Sequence, residues 1–302
     1  MNPIRPPYLK KNDKVTILCT ARKFSVEEAK PAIELMESWG LQVVLGQTIG
    51  LDNFQLGGTD AERIADFNAQ LRDPEIKAIW CARGGYGTVR IIDEIDFSPL
   101  KKQPKWIIGF SDVTTLHSHL HTLGIATIHG IMAFSVPLAK EEAKSSLHSA
   151  LFGKPLHYTI PAVVKNRPGK AKGELVGGNL SILYSLLGSV SSINTKGKIL
   201  FIEDLDEYLY HVDRMMYNLK RNGLLQNLAG LIVGGMTDMH DNSIPFGYNA
   251  HEIILDAVKN YDYPVVFHFP AGHGISNWAL KLGTIVELDA QDDQVIVEFS
   301  SI

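Results

Sequence analysis

Short apolar runs separated by stretches of helical spacing organise the first half of the chain. The runs are KVTILC (14–19), LQVVLG (41–46), IKAIWCA (76–82) and WIIGF (106–110). Between them, SVEEAKPAIELMESWG and DAERIADFNAQLRD repeat apolar residues every three or four positions. Strands alternating with helices predict a parallel sheet covered by helices on both faces. The pattern continues through IATIHGIM, gives way to a charged helical stretch, AKEEAKSSLHSALFG, and then to HYTIPAVVKNRPGKAKG, rich in Lys, Pro and Gly. This predicts an amino-terminal α/β domain over 1–140, a linker over 141–168 and a smaller carboxy-terminal α/β domain over 169–302.

The second half opens with ELVGGNLSILYSLLG and continues through a strand-like KGKILFIED, a helix in LYHVDRMMYNLKRNGLL, an apolar LAGLIVGG and a further helix near HEIILDAVKN. After YPVVFHFPAGHG, the alternating runs GTIVELDA and DQVIVEFSS predict an antiparallel hairpin. There is no internal repeat and no low-complexity tract.

At 302 residues, two domains are expected. The formal net charge of -4 argues against a nucleic-acid partner, which calls for a basic surplus. The amino-terminal MNPIRPPYLKKNDKVTIL carries charges and prolines where a secretory signal needs an apolar stretch, and no run approaches the length of a membrane span. A cytoplasmic protein without membrane contact is expected. Cys19 and Cys81 each end an apolar run and read as reduced core thiols.

Chemistry has three places to sit. In WIIGFSDVTTLHSHLHTLG, Val113, Leu116, Leu120 and Leu123 fall on one helical face that stops at Gly124, which puts Ser111 at a strand-to-helix junction. Serine there can be a simple N-cap. It can equally be a nucleophile, because Gly109 lets the chain turn and the N–H groups of a helix start point toward the space where an oxyanion would form. The second glycine of a G-x-S-x-G elbow is absent.

A nucleophilic serine needs a base and an orienting acid. His117, His119 and His121 share the helix after Ser111, but without an H-E-x-x-H pattern they do not read as metal ligands. His148, His157, His211 and His251 read as surface residues, whereas His273 stands in a glycine-flanked loop after an apolar strand. Among the acids of KILFIEDLDEYLYHVDRM, Glu203 is the first polar residue after the apolar run. Asp204, Asp206 and Glu207 are expected in the first turn of the following helix, favoured there by its dipole. The third place is ARGGYG, a glycine-rich turn after a strand that matches no phosphate-binding pattern but could present a backbone N–H to a substrate.

ARGGYG, GFSD, His129–Gly130, GGNL at 177–180, FIED with Asp213–Arg214, and Gly272–His273 occur in the order and approximate spacing of the L,D-carboxypeptidases. The chain resembles this serine peptidase family, which trims murein peptides, over roughly residues 14 to 288. The resemblance implies a flavodoxin-like amino-terminal domain, a smaller carboxy-terminal domain and an active site between them. It assigns Ser111 as nucleophile, His273 as general base and Glu203 as its partner, with an oxyanion hole from the Asp112 N–H and one from Gly84 or Gly85. Arg83 and Asn179 lie in matching motifs and are candidates for substrate contacts. A murein tetrapeptide substrate, a homodimer, no cofactor and no metal are implied. A minority of relatives hydrolyse peptidyl nucleotides and confer immunity to microcin-type antibiotics; that activity, and a non-catalytic two-domain binder, are the competing readings.

Overall fold

The computed structural model describes residues 3–300. Two sheets organise the chain. The first is parallel and doubly wound: β1 (Lys14–Leu18), β2 (Gln42–Leu45), β3 (Ile76–Cys81), β4 (Trp106–Gly109) and β5 (Thr127–His129) pair in the order β2-β1-β3-β4-β5. This is the flavodoxin strand order, which opens a crevice at the carboxyl ends of the strands. α1 (Val26–Ser38) and α2 (Asp60–Arg72) both start at capping boxes, Ser25 with Glu28 and Thr59 with Glu62. α3 (Thr114–Thr122) follows β4.

The stretch 141–168, expected as a linker, holds regular structure. α4 (Glu141–Phe152) buries Ala143, Leu147, Ala150 and Leu151. β6 (His157–Pro161) alternates exposed and buried residues, with Tyr158 and Ile160 turned inward. Both are amphipathic, and their apolar faces pack into a core that runs on from the first sheet.

The second sheet is mixed. β7 (Gly169–Asn179), β8 (Ile199–Leu205), β9 (Gly230–Thr237) and β10 (Val265–Val266) are parallel. Past β11 (Leu280–Leu282), β12 (Ile285–Ala290) and β13 (Gln294–Phe299) form the expected hairpin, which pairs with β7 on one side and β6 on the other. α5 (Leu180–Ser185), α6 (Leu209–Arg221) and α7 (Ala250–Ala257) complete this half. β11 crosses back and pairs antiparallel with β5, so the first sheet has a strand from the far end of the chain. One buried cluster joins Val15, Trp80 and Ile128 to Phe201, Phe269 and Val286, and thereby unites the two sheets.

β10 is shorter than the apolar run VVFHF. The Phe267 N–H donates to Asn166 Oδ1 and His268 takes a left-handed φ of 60°, which together end the ladder after two residues. Asp204 belongs to β8 rather than to a helix: the strand continues to Leu205, Asp206 turns the chain at a φ of 61°, and α6 starts only at Leu209. Of the four histidines expected at the surface, His157 alone is exposed; His148, His211 and His251 are half-buried. Cys19 and Cys81 are buried free thiols, each pushed up to about 12 by burial. No helix of the described residues is long and apolar enough to cross a membrane.

Candidate active site

The chain leaves β4 through extended Phe110 and turns at Ser111, whose φ is 62°. For a serine this is sparsely populated backbone, a device that holds a side chain clear of its neighbours at functional sites. The sharp turn is therefore made by the serine itself. Gly109 serves packing instead, since a Cβ there would lie 2.8 Å from the Val113 side chain. A short 3₁₀ turn over Ser111–Val113 then feeds α3, with the Asp112 N–H at its start.

Ser111 meets residues from the other sheet. His273 Nε2 lies 3.0 Å from Ser111 Oγ, and His273 Nδ1 lies 2.7 Å from Glu203 Oε2. A carboxylate only accepts, so the imidazole proton resides on Nδ1 and Nε2 is left to accept from the serine hydroxyl. The His273 N–H also donates to Glu203 Oε2 at 3.0 Å, and Thr237 Oγ1 donates to the His273 carbonyl at 2.7 Å. Backbone and ring are thus fixed from both sides, and the Phe110 ring packs edge-on against the imidazole at 5.0 Å.

Glu203 is fully buried on β8. Burial pushes its carboxyl up, but the hydrogen bond and charge of His273, with a further contribution from His129, hold it below the ordinary carboxylate range. Burial pushes the His273 imidazole down, and Glu203 more than offsets this, so it stands above an ordinary imidazole. Space for the carboxylate depends on Gly272: its φ is 110°, and a Cβ there would fall 2.6 Å from Glu203 Oε2. Behind the pair, Asn277 Oδ1 accepts from the Gly272 N–H at 2.9 Å and lies 3.1 Å from His129 Nε2. His129 is completely buried, and burial pushes it down to about 4. His117 likewise falls to about 3 and donates to the Gly109 carbonyl at 2.9 Å.

The two halves meet closely where α3 starts. The Asn179 N–H donates to Thr114 Oγ1 at 3.0 Å, and a Cβ on Gly178, whose φ is 143°, would come within 2.5 Å of the same oxygen. This contact couples the serine's helix to the sheet that carries Glu203. Asn179 itself caps α5: its Oδ1 accepts from the Ile182 N–H at 3.1 Å, while its Nδ2 donates to Asp204 Oδ1 at 2.8 Å. Asp204 also accepts from the Ser181 N–H at 2.9 Å, and burial, with Glu203 beside it, pushes its carboxyl up to about 7. Both polar ends of Asn179 are therefore engaged within the protein.

A cleft of about 560 Å³ opens above Ser111 and His273. Arg22, Arg83, Gly84 and Gly85 line it, as do Asp204, Asp206 and Glu207. Gly84 lies against the serine, since a Cβ on it would be 3.3 Å from Ser111 Cβ and 3.5 Å from the Asp112 nitrogen. Arg83 stacks over the Phe134 ring at 4.1 Å and stands 4.0 Å from Glu28. Among the described residues no cluster of His, Cys, Asp and Glu has the geometry of a metal site.

Sequence reasoning did not identify Thr237, Asn277, Thr114 or Arg22. Thr237, a polar residue at the end of an apolar strand, carried the same signal that singled out Glu203. Thr114, Asn277 and Arg22 are brought to the site by contacts between distant segments, which no local pattern encodes.

The chain matches known proteins along most of its length. Residues 15–130 match the family model described as LD-carboxypeptidase N-terminal domain, and residues 172–288 the one described as LD-carboxypeptidase C-terminal domain. A probable murein peptide carboxypeptidase of Bacillus subtilis (strain 168) is 36% identical, with 97% of this chain and 94% of that protein covered. The microcin C7 self-immunity protein MccF of Escherichia coli is 25% identical over 88% of this chain and 86% of its own length. Among solved structures, a muramoyltetrapeptide carboxypeptidase from Oxalobacter formigenes superimposes with a TM-score of 0.87 at 23% identity, covering 95% of this chain and 98% of that one.

Proposed function

This chain belongs to the LD-carboxypeptidase family and is a hydrolase acting on peptide bonds, and we propose that it removes the terminal D-alanine of murein tetrapeptides by a serine acyl-enzyme mechanism. The observation that carries the proposal is the hydrogen-bonded series Ser111, His273, Glu203, in which Ser111 and His273 line the cleft and Glu203 is buried behind the imidazole. The bond cut is the L,D-peptide bond joining D-alanine to a diaminopimelate or lysine residue. The proposal extends to a homodimer that works in the cytoplasm on recycled wall peptides.

His273 Nε2 takes the hydroxyl proton as Ser111 Oγ attacks the carbonyl carbon. Negative charge gathers on the carbonyl oxygen, met by the Asp112 N–H and one from the Gly84–Gly85 turn; each such donor is worth on the order of 3 kcal/mol. Glu203 stabilises the imidazolium across the 2.7 Å contact. His273 then passes its proton to the D-alanine nitrogen as the C–N bond breaks. Water, deprotonated by His273, attacks the ester and returns Ser111 to its starting state. These side chains and water supply every proton transfer in the scheme.

The proposal is tested by mass spectrometry of murein tetrapeptide incubated with the protein, which should yield tripeptide and free D-alanine. The likeness to the microcin self-immunity protein supports a second reading, hydrolysis of a peptidyl nucleotide. Intact tetrapeptide together with cleavage of an aminoacyl adenylate mimic would establish that reading in place of the first.

The contact between the halves gives a further prediction. Gly178→Ala places a Cβ against Thr114 Oγ1 in a backbone region that L-residues avoid. We expect a loss of about 2–4 kcal/mol of stability and a fall of about 10²-fold in kcat/KM as Ser111 shifts relative to His273. Thermal denaturation and steady-state kinetics on the tetrapeptide check both, and wild-type kinetics would refute the coupling.

A further inference from the structure

A carboxypeptidase must tell the last peptide bond from every internal one, and the groups already described do not. Resting on the reading above, we propose that Arg22 binds the α-carboxylate of the departing amino acid and so restricts cleavage to the chain end. The bond lengths set where such a group must stand. With a single residue departing, the carboxylate carbon lies three bonds from the carbonyl carbon under attack, roughly 3–3.7 Å away. Its reader must therefore share the wall that holds the oxyanion.

Arg22 occupies that wall. Its N–H donates to the Gly84 carbonyl at 3.4 Å, and its side chain lies across Gly85, where a Cβ would fall 2.5 Å from Nε and 2.6 Å from Cδ. Glycine at 85 thus makes room for the arginine stem beside the oxyanion turn, in addition to supporting a φ of 105°. The residue is exposed, and its guanidinium forms no ion pair among the described residues, although it lines the cleft with Ser111 and His273. Arg83, the other cleft arginine, is already engaged by Phe134 and Glu28. A guanidinium offers a planar fork matched to a carboxylate, and an unengaged one gives up no existing partner on binding.

The rest of the cleft agrees in sign. Asp206 and Glu207 also line the cleft, and carboxylates there disfavour a substrate carboxylate beside them, which biases it toward Arg22. An internal bond presents a neutral amide where the carboxylate would be. It leaves the guanidinium without its anion, a mismatch that polar recognition sites reject by about 10²-fold or more.

The test compares tetrapeptide ending in a free carboxylate with the same peptide ending in a carboxamide, using wild type, Arg22→Gln, Arg22→Lys and Arg83→Gln. Wild type should favour the acid by about 10²-fold or more in kcat/KM. Arg22→Gln should lose that factor on the acid while keeping its rate on the amide within a few-fold, so that the preference collapses; Arg22→Lys should retain part of it. An unchanged preference in Arg22→Gln, or equal losses on both peptides, overturns the assignment while the carboxypeptidase reading stands. Collapse in Arg83→Gln alone overturns it in favour of Arg83. A wild type that cuts neither peptide overturns the functional reading, and this assignment with it.

Discussion

Ser111→Ala should lower turnover of murein tetrapeptide on the order of a millionfold and leave the fold intact. The magnitude follows from losing the proposed nucleophile of a proposed triad whose members would act as a unit, with the oxyanion donors and the cleft left to supply what rate remains. Alanine at 111 inherits the same left-handed φ of 62°, so the substitution neither relieves nor adds backbone strain. Only the hydroxyl of a half-buried residue lining the cleft is removed, and the Nε2 of His273 faces the space it leaves. Melting temperature and circular dichroism should match wild type, whereas release of D-alanine should fall to the detection limit. Substantial turnover in a well-folded Ser111→Ala would mean that a different group attacks.

Glu203→Gln should cost about 10⁴-fold in kcat, the size of effect seen when a triad acid becomes an amide and the imidazole tautomer is no longer fixed. The pH dependence makes the test sharper. The base form of His273 is the neutral one, so activity is lost as pH falls and the ring protonates. Because Glu203 holds the imidazole above its ordinary value of 6.5, the acid limb of kcat/KM for wild type should lie above pH 6.5. Removing the carboxylate charge leaves burial opposed only by the charge of Asp204, and the limb of Glu203→Gln should move to lower pH even as the plateau drops.

Stability follows the same pair with its own signs. The raised imidazole contributes fully below its unfolded value and loses the contribution as pH rises through the folded one. The depressed Glu203 carboxyl contributes above its unfolded value and loses it as pH falls through the folded one. The pair therefore stabilises most between roughly pH 4.5 and 6.5. The melting difference between wild type and Glu203→Gln should be larger near pH 5.5 than near pH 8.5; a difference that grows with pH would contradict the assigned directions.

The strand-to-helix junction at Ser111 was legible because period and apolar run length carry it, and the parallel, helix-covered first sheet followed from the alternation of strands and helices; its flavodoxin-like order was implied only by the family resemblance. Pairing between distant segments was not. Nothing local marks LKL at 280–282 as a strand of the first sheet, because its partner at Thr127–His129 lies far upstream. The acidic run after Glu203 read as a helix start on charge alone, yet Asp204 accepts the Leu205 N–H at 2.9 Å and those from Asn179 and Ser181 across the sheet, which keeps it in the strand. The helix over Glu141–Phe152 was legible in AKEEAKSSLHSALFG, but the Lys- and Pro-rich composition after it masked β6, whose worth depends on a core assembled from both sheets. Asn179 was legible as a motif residue; its work as the cap of α5 and partner of Asp204 needed the third dimension.

Ser111 is proposed to form an acyl-enzyme from the tetrapeptide. Rapid quenching of a single turnover, followed by mass spectrometry of the digested protein, tests it most directly. The peptide containing Ser111 should transiently gain the tripeptide acyl group through an ester to its Oγ, as one D-alanine is released, and Ser111→Ala should show neither adduct nor release. D-Alanine released without an adduct at Ser111, by wild type and Ser111→Ala alike, would contradict it.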